Sequence, residues 1–395
     1  MNWFAQVAAL ISFNLRTLPT RKGSATAAIF GIAGVVAVLV GVLSIGEGFR
    51  HAMTVAGSPD TAIVLRGGAA TEMTSILLRD DTNIVANAPG VAKADGKPLV
   101  SPELFVIVNL PMRDGGSDAN VPLRGVESQA FRVHDEIRIV EGRQFRWGSN
   151  EVIVGRNALR QFEGVEMGSN LKFGTNYWKV VGIFEAGGSV AESELWTDAA
   201  VLSPAYRRGA SYQSALVRLA SPGNFQQFKD ALTADPRLNV KVVRETDYYA
   251  EQSRVMRGLI TGLAFIVSLL MGLGAIFGAL NTMYTAVAAR SREIATLEAI
   301  GFRGSPVVLS VLAEAVVLAL LGGAIGALGA WLAFDGYRAA TMNFQSFSQV
   351  AFAFEVNSRL IVPAILYALF IGIVGGFFPA MRAVKIPVSM ALRER

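Results

Sequence analysis

His51 and His134 are the only imidazoles in the chain, and it has no cysteine. A hydrolytic triad needs a nucleophile beside an oriented base, and a zinc centre needs three or four closely spaced His, Cys or carboxylate ligands. Neither histidine has such neighbours, so each is expected to be an ordinary surface or core residue. The absence of cysteine also removes disulfides and thiol nucleophiles. Glu185, Glu192 and Glu194 in "FEAGGSVAESELW" could suggest a cation site, but they are read as solvated loop residues beside a Gly-Gly turn. The nearest approach to a phosphate-cradling loop is "GVAKADGKP", residues 90–98. Its first glycine is one residue too far upstream, and Pro98 stands where a magnesium-binding Ser or Thr belongs. No catalytic, metal or cofactor-binding residue is therefore assigned, and the chain is not expected to hydrolyse ATP.

Glu314 is chemically unusual because of its surroundings. It is the sole charged residue in residues 304–334, and residues 23–46, 258–289 and 360–381 hold none. Each stretch reaches the roughly 20 residues that cross a ~30 Å hydrocarbon core as helix. An ionisable side chain there is a functional candidate, since isolated charge is costly in lipid. Glu314 lies near one end of its span, which favours a polar contact between helices over proton or substrate handling.

Four spans are thus expected: residues 23–46, 258–289, 306–334 and 360–381. The first follows Arg16, Arg21 and Lys22 as a secretion signal would, but its apolar core is too long for one, and it reads as an uncleaved anchor. Before it, "NWFAQVAALISFNLRTLP" is expected to form an amphipathic helix at the cytoplasmic surface, within residues 1–22. The N-terminal flank, the loop at residues 290–305 and the tail at residues 382–395 carry ten basic against three acidic side chains. That excess places both termini and the loop in the cytoplasm. Residues 47–257 carry 24 basic and 25 acidic side chains, so the basic balance reports topology and no nucleic-acid partner is indicated. A loop at residues 335–359 would be periplasmic.

Residues 47–257 read as an α+β domain. "TAIVLR", "LFVIVNL", "EVIVG" and "YWKVVGIFE" are β-rich, "DDTNIVANAPG" is a helix with Asp81 or Thr82 as N-cap, and residues 214–245 run strand, helix, strand. Two lobes are expected, one an insert at about residues 121–202. From Thr246, the expected N-cap, to Ala289 nothing breaks a helix, which would be a rod of roughly 65 Å. GxxxG pairs at Gly258/Gly262, Gly274/Gly278, Gly322/Gly326 and Gly372/Gly376 favour close helix association, including with a second copy.

Between the second and third spans, "RSREIATLEAIGFRGSP" puts Ile294, Leu297 and Ile300 on one side of a short helix and Arg292, Glu293, Thr296 and Arg303 elsewhere. The helix should end near Gly301, with the chain re-entering the membrane at Pro306. A surface helix held between two spans is a docking element. Arg292-Glu293-Ile294, then Ala299-Ile300-Gly301, Glu314 and "LLGGAIGALGAWL" resemble the FtsX-like permease domain of bacterial ABC transporters, the group of MacB and LolC/LolE. "PAMRAVKIPVSMALRER" is similar to that family's closing signature through Pro379, Ala380, Arg382, Ala383, Pro387, Val388, Ala391, Leu392 and Arg393, and "SIGEG" resembles its first-span exit.

The resemblance implies a bacterial inner-membrane permease subunit with a MacB-like periplasmic core. It would pair with a dimer of a separate ATPase that binds ATP and Mg, and with a second permease copy or paralogue. Arg292, Glu293, Ile294, Leu297, Ala299, Ile300 and Gly301 would form the ATPase-coupling surface. The implied work is export or extraction of lipid, lipoprotein or amphiphile. A signalling scaffold that activates a periplasmic protein such as a cell-wall hydrolase is the alternative.

Overall fold

The structure is a computed structural model that describes residues 3–17, 22–113, 115, 117–343 and 346–384. The tail positions Pro387, Val388, Ala391 and Leu392 lie outside the described residues. The chain divides into a helical unit (Met1–Glu47, Leu259–Tyr337, Phe354–Arg395) and an α+β unit (Gly48–Gly258, Arg338–Ala353). It passes from one to the other inside two continuous helices, Lys22–Thr54 and Glu245–Ala288.

Runs of Ala, Val, Leu, Ile and Gly without charge form helices whose backbone polar groups are satisfied internally, the condition for crossing lipid. Among the described residues four are long and apolar enough to do so: Ala25–Thr54, Glu245–Ala288, Gly304–Phe334 and Ser358–Ala383. The chain is a multi-pass membrane protein. Leu263, Phe265, Leu270 and Phe277 on the second of these are each more than half exposed, as lipid-facing side chains are. That helix has 44 residues, starts at Glu245 with Thr246 already inside its first turn, and spans roughly 66 Å at 1.5 Å per residue.

Within the helical unit, small residues let backbones approach. A Cβ on Gly322 would lie 2.8 Å from Ile29 O, and one on Gly326 would strike Ala33 O, so this pair seats Gly304–Phe334 against the first span. Gly372 and Gly376 meet Ala319 and Ala315 in the same way. Around Gly258, Gly262, Gly274 and Gly278 an added Cβ meets nothing within 4 Å. Two of the four pairs thus serve packing inside the chain, and two leave open surface. The helix Trp3–Thr17 packs on Gly304–Phe334, with Gln6, Leu10 and Asn14 buried and Trp3 Nε1 donating to Ser305 Oγ at 3.2 Å.

The α+β unit is built on a ten-stranded sheet. Its spatial order runs Val240–Arg244, Thr61–Arg66, Ser214–Arg218, Val100–Leu110, Ala119–Val126, Leu195–Asp198, Glu151–Gly155, Asn176–Glu185, Arg138–Gly142, with Asn170–Phe173 paired on Asn176–Glu185. Val100–Leu110 joins two lobes: Val100 to Glu103 pair with Ser214–Arg218, and Leu104 to Leu110 pair with Ala119–Val126. One core gathers around Val64, Phe228 and Leu232, the other around Leu104, Phe162 and Trp178. The insert lobe therefore begins at Leu104, before residue 121, because its sheet takes in half of the shared strand. The helix Arg79–Ala86 has Leu78 as its N-cap, with Asp81 Oδ2 accepting the Leu78 N–H at 2.8 Å.

Residues 335–359 are not a plain loop. Arg338–Asn343 and Ser348–Ala353 form an antiparallel hairpin that belongs to the α+β unit. The Ala351 N–H donates to Ser193 Oγ at 3.0 Å, and Asn120 Nδ2 donates to Phe347 O at 2.7 Å. Val350 and Phe352 are buried, which offsets the cost of ordering the segment.

Candidate functional site

The helix Ser291–Ala299 is held at both ends by identifiable forces. At its start Arg290 turns inward: Nη1 donates to Glu314 Oε2 at 3.0 Å and Nη2 donates to Asn14 Oδ1. Asn14 Nδ2 in turn donates to Ser310 Oγ at 2.9 Å. All four residues are buried. Glu314 is thus ion-paired, and the pair ties the turn after the long helix to the third span and to the N-terminal helix.

At its end the Gly301 N–H donates to Glu298 O and the Phe302 N–H to Leu297 O at 3.1 Å, with Gly301 at φ +102°. This is a Schellman termination, in which glycine carries the positive φ that a side chain would resist. The next helix then starts at Gly304 with Arg303 as its N-cap, ahead of the expected re-entry at Pro306.

Ile294 is buried in one cluster with Met283, Val287, Val307 and Ala383, with Leu297 half-buried against it, and Ala295 is buried as well. Ile294 and Leu297 therefore anchor the helix and are not its free face. Arg292, Glu293, Thr296 and Ala299 are exposed, and Ile300 is 72% exposed. A large apolar residue beside a charged pair on a rigid surface is the composition of a protein contact. Of the tail residues, Pro379 and Ala383 are buried in Ser358–Ala383, and the Arg382 guanidinium stands over the Tyr284 ring, 5.5 Å from its centroid.

A second constellation lies in the α+β unit and escapes sequence reading entirely. Arg124 is buried and bonded to three buried carboxylates: Glu72 at 2.8 Å, Glu103 at 2.7 Å and Glu194 at 2.7 Å. His134 Nε2 lies 2.8 Å from Glu103 Oε1, Trp196 Nε1 donates to Glu194, and Ser214 Oγ donates to Glu72. These residues come from the shared strand and from both lobes, so the cluster sets how the lobes join. The guanidinium occupies the place a cation would take, and among the described residues no group of His, Asp and Glu is arranged to hold a metal.

Glu192 and Glu194 are accordingly not solvated, as the sequence led us to expect, but buried. Glu192 caps the Gly187-Gly188 turn by accepting the Ala186 and Gly188 N–H groups, while Glu185 pairs at the surface with Arg156. Signs of this burial were present only as charged residues inside apolar strands, such as Arg124 between Leu123 and Gly125. Nothing in the sequence links positions 72, 103, 124, 134 and 194.

Burial alone would raise the Glu103 carboxyl, but the charges of His134 and Arg124 overturn that and hold it at about 2. Burial opposes protonation of His134 too, yet Glu103 and Glu136 lift it well above 6.5. Glu103 therefore adds stability that is present above its ordinary value of 4.5 and lost as pH falls through about 2. His134 adds stability that is present below 6.5 and lost as pH rises through its elevated folded value. Melting temperature of the full chain in detergent is expected to fall on both the acid and alkaline sides. His134→Gln should lower the plateau and abolish the part of the alkaline decline that His134 causes.

The family described as MacB-like periplasmic core domain matches residues 25–235, more than half of the chain, and the FtsX-like permease C-terminal family matches residues 265–388. The macrolide export ATP-binding/permease protein MacB of Hahella chejuensis is 26% identical over 98% of this chain and 59% of its own length. MacB of Escherichia coli is 26% identical over 96% of this chain and 59% of its own, and the pyoverdine export protein PvdT of Pseudomonas entomophila 26% over 91% and 56%. The chain thus spans a little over half the length of these relatives. Among solved structures, the periplasmic region of MacB from Actinobacillus actinomycetemcomitans superposes with a TM-score of 0.36 at 14% identity, covering 49% of this chain and 92% of that one. The extracellular domain of YknZ from Gram-positive bacteria gives 0.36 at 17%, covering 47% and 100%. At those scores the superpositions carry no argument.

Proposed function

Because the chain belongs to the MacB-type, FtsX-like permease family, we propose that it is the membrane subunit of a bacterial ABC transporter whose ATP and Mg are bound by a partner ATPase dimer. The relatives are named as ATP-binding/permease proteins and are longer than the aligned chain. Nothing in this sequence forms a phosphate-binding loop. We accordingly assign the ATPase work to a part of the transporter outside these residues, with a second permease copy or paralogue completing the membrane part.

The reading rests chiefly on the free face of Ser291–Ala299, where Arg292, Glu293, Ala299 and Ile300 are displayed between a buried ion pair and a Schellman turn. A helix fixed at both ends transmits displacement, whereas a loose loop would absorb it. Closure of the ATPase dimer would push this surface and the continuous helix Glu245–Ala288, and so reach the α+β unit. On the charge distribution, this surface and both termini lie in the cytoplasm of an inner-membrane protein and the α+β unit lies in the periplasm. The cargo class that suits these apolar spans is lipid, lipoprotein or amphiphile.

Arg292→Glu and Glu293→Lys test it. Both residues are exposed, but Glu293 Oε2 lies 3.7 Å from Arg290 Nε, so Arg292→Glu is the cleaner variant, and the melting temperature is the control for both. Each reversal is expected to weaken co-purification of the ATPase, or the coupling of its turnover to transport, by about tenfold, the size of a ~1.4 kcal/mol interface loss. Association and coupling unchanged by both would remove the docking role.

A further inference from the structure

The α+β unit contains an open cavity of about 320 Å³ lined by Arg113, Arg160 and Arg338, with Asn157 beside them and Ala340 and Ala351 on its wall. Among the described residues no acidic side chain lines it. A second cavity of about 230 Å³ adjoins it, sharing Asn157, Arg338 and Ala351. The three arginines come from separate segments that are locked in place. Arg160 is on the helix Arg156–Gln161, and Arg338 opens the hairpin that Ser193 and Asn120 pin down. Arg113 follows the shared strand, its Nε donating to Leu159 O at 3.1 Å and its guanidinium shared with Glu166. Arg160 and Arg338 have no bonded partner among the described residues.

Chain connectivity bounds how far Arg338 lies from a membrane span. Arg338 is four residues past the end of the span Gly304–Phe334, a distance of at most about 14 Å in extended chain. Trp331 and Tyr337, both exposed, bracket that end as interfacial aromatics do. Guanidiniums with spare donors, an alanine-lined wall and an arginine tethered four residues from a membrane span match a phosphate that carries an apolar tail.

We propose that this cavity binds the phosphodiester headgroup of an anionic membrane phospholipid. Two forks, Arg160 and Arg338, grip the phosphate; Arg113 adds field; the glycerol end rests on Ala340 and Ala351. The site is separate from the docking helix and needs no ATPase, so failure of the coupling reading leaves it standing.

The test uses the full chain in uncharged detergent, titrated with dihexanoyl-phosphatidylglycerol, dihexanoyl-phosphatidylcholine or sodium phosphate, with binding read by native mass spectrometry. Phosphatidylglycerol should be retained over phosphatidylcholine, and Arg160→Gln with Arg338→Gln should reduce that retention at least tenfold. Arg160→Lys with Arg338→Lys should keep part of it, and equal melting temperatures exclude misfolding, as both arginines are exposed. Retention unchanged by the double glutamine variant would overturn the proposal. Inorganic phosphate binding at the same arginines without preference for phosphatidylglycerol would assign the cavity to a free anion and overturn the lipid.

Discussion

Replacing Arg124 by methionine is expected to lower the melting temperature of the full chain by roughly 10 °C, as a buried ion whose partner is removed costs about 3–5 kcal/mol. Glu72, Glu103 and Glu194 would then face one another across an uncharged side chain, all three buried and stripped of their shared donor. Methionine approximates the volume and removes only the charge and hydrogen bonds. The loss should be read through Trp196, whose indole donates to Glu194, and through the fully buried Trp178. Adding Glu72→Gln and Glu194→Gln to Arg124→Met should recover part of the loss, since two of the stranded charges are gone. A melting temperature within 2 °C of the parent for Arg124→Met alone, well under the ~2–4 °C per kcal/mol expected of such a loss, would deny the cluster its structural role.

The second large effect is expected at Glu314. Glu314→Ala removes the 3.0 Å buried carboxylate partner of the Arg290 guanidinium, which keeps Asn14 Oδ1 and the more distant, exposed Glu293 carboxylate at 3.7 Å. The expected loss is again about 3–5 kcal/mol, since a stranded charge is costly where neither water nor lipid headgroup reaches it. A structural loss spread over the whole molecule would lower yield and melting temperature alone. Because Arg290 directly precedes Ser291–Ala299, Glu314→Ala should also loosen that helix, seen as faster hydrogen exchange at residues 291–301. Arg290→Met combined with Glu314→Met should be milder than either single change, as an apolar pair replaces an ion pair. Additivity of the two single losses would show that the side chains are not coupled.

Sequence legibility followed the range of the interactions. The four apolar helices could be read because exclusion of charge acts residue by residue: Gly304–Phe334 carries a single charge, Glu314. The strands Thr61–Arg66 and Glu151–Gly155 were legible because β-branched runs bounded by turn residues act locally. The hairpin at Arg338–Asn343 and Ser348–Ala353 was not, although "QVAFAF" alternates, because its stability comes from Ser193 and Asn120 far along the chain. Helical spacing puts Ile294 on an apolar side, and the family resemblance assigns it to a partner surface. Spacing identifies an apolar face but not what covers it, and here Val307 and Ala383 of the same chain do. The Arg124 cluster shows the limit most plainly, since three carboxylates spread over more than a hundred positions converge on one guanidinium.

Arg290 and Gly301 make the short helix a fixed surface, and the functional account stands on where that surface faces. The chain has no cysteine, so Ile300→Cys gives a single label at a position 72% exposed. In intact cells an impermeant maleimide added from outside should leave Cys at this position unmodified, and inside-out vesicles should label it fully, with protection when the ATPase is bound. Full labelling from outside intact cells would put the helix on the side away from any cytoplasmic ATPase and contradict the account.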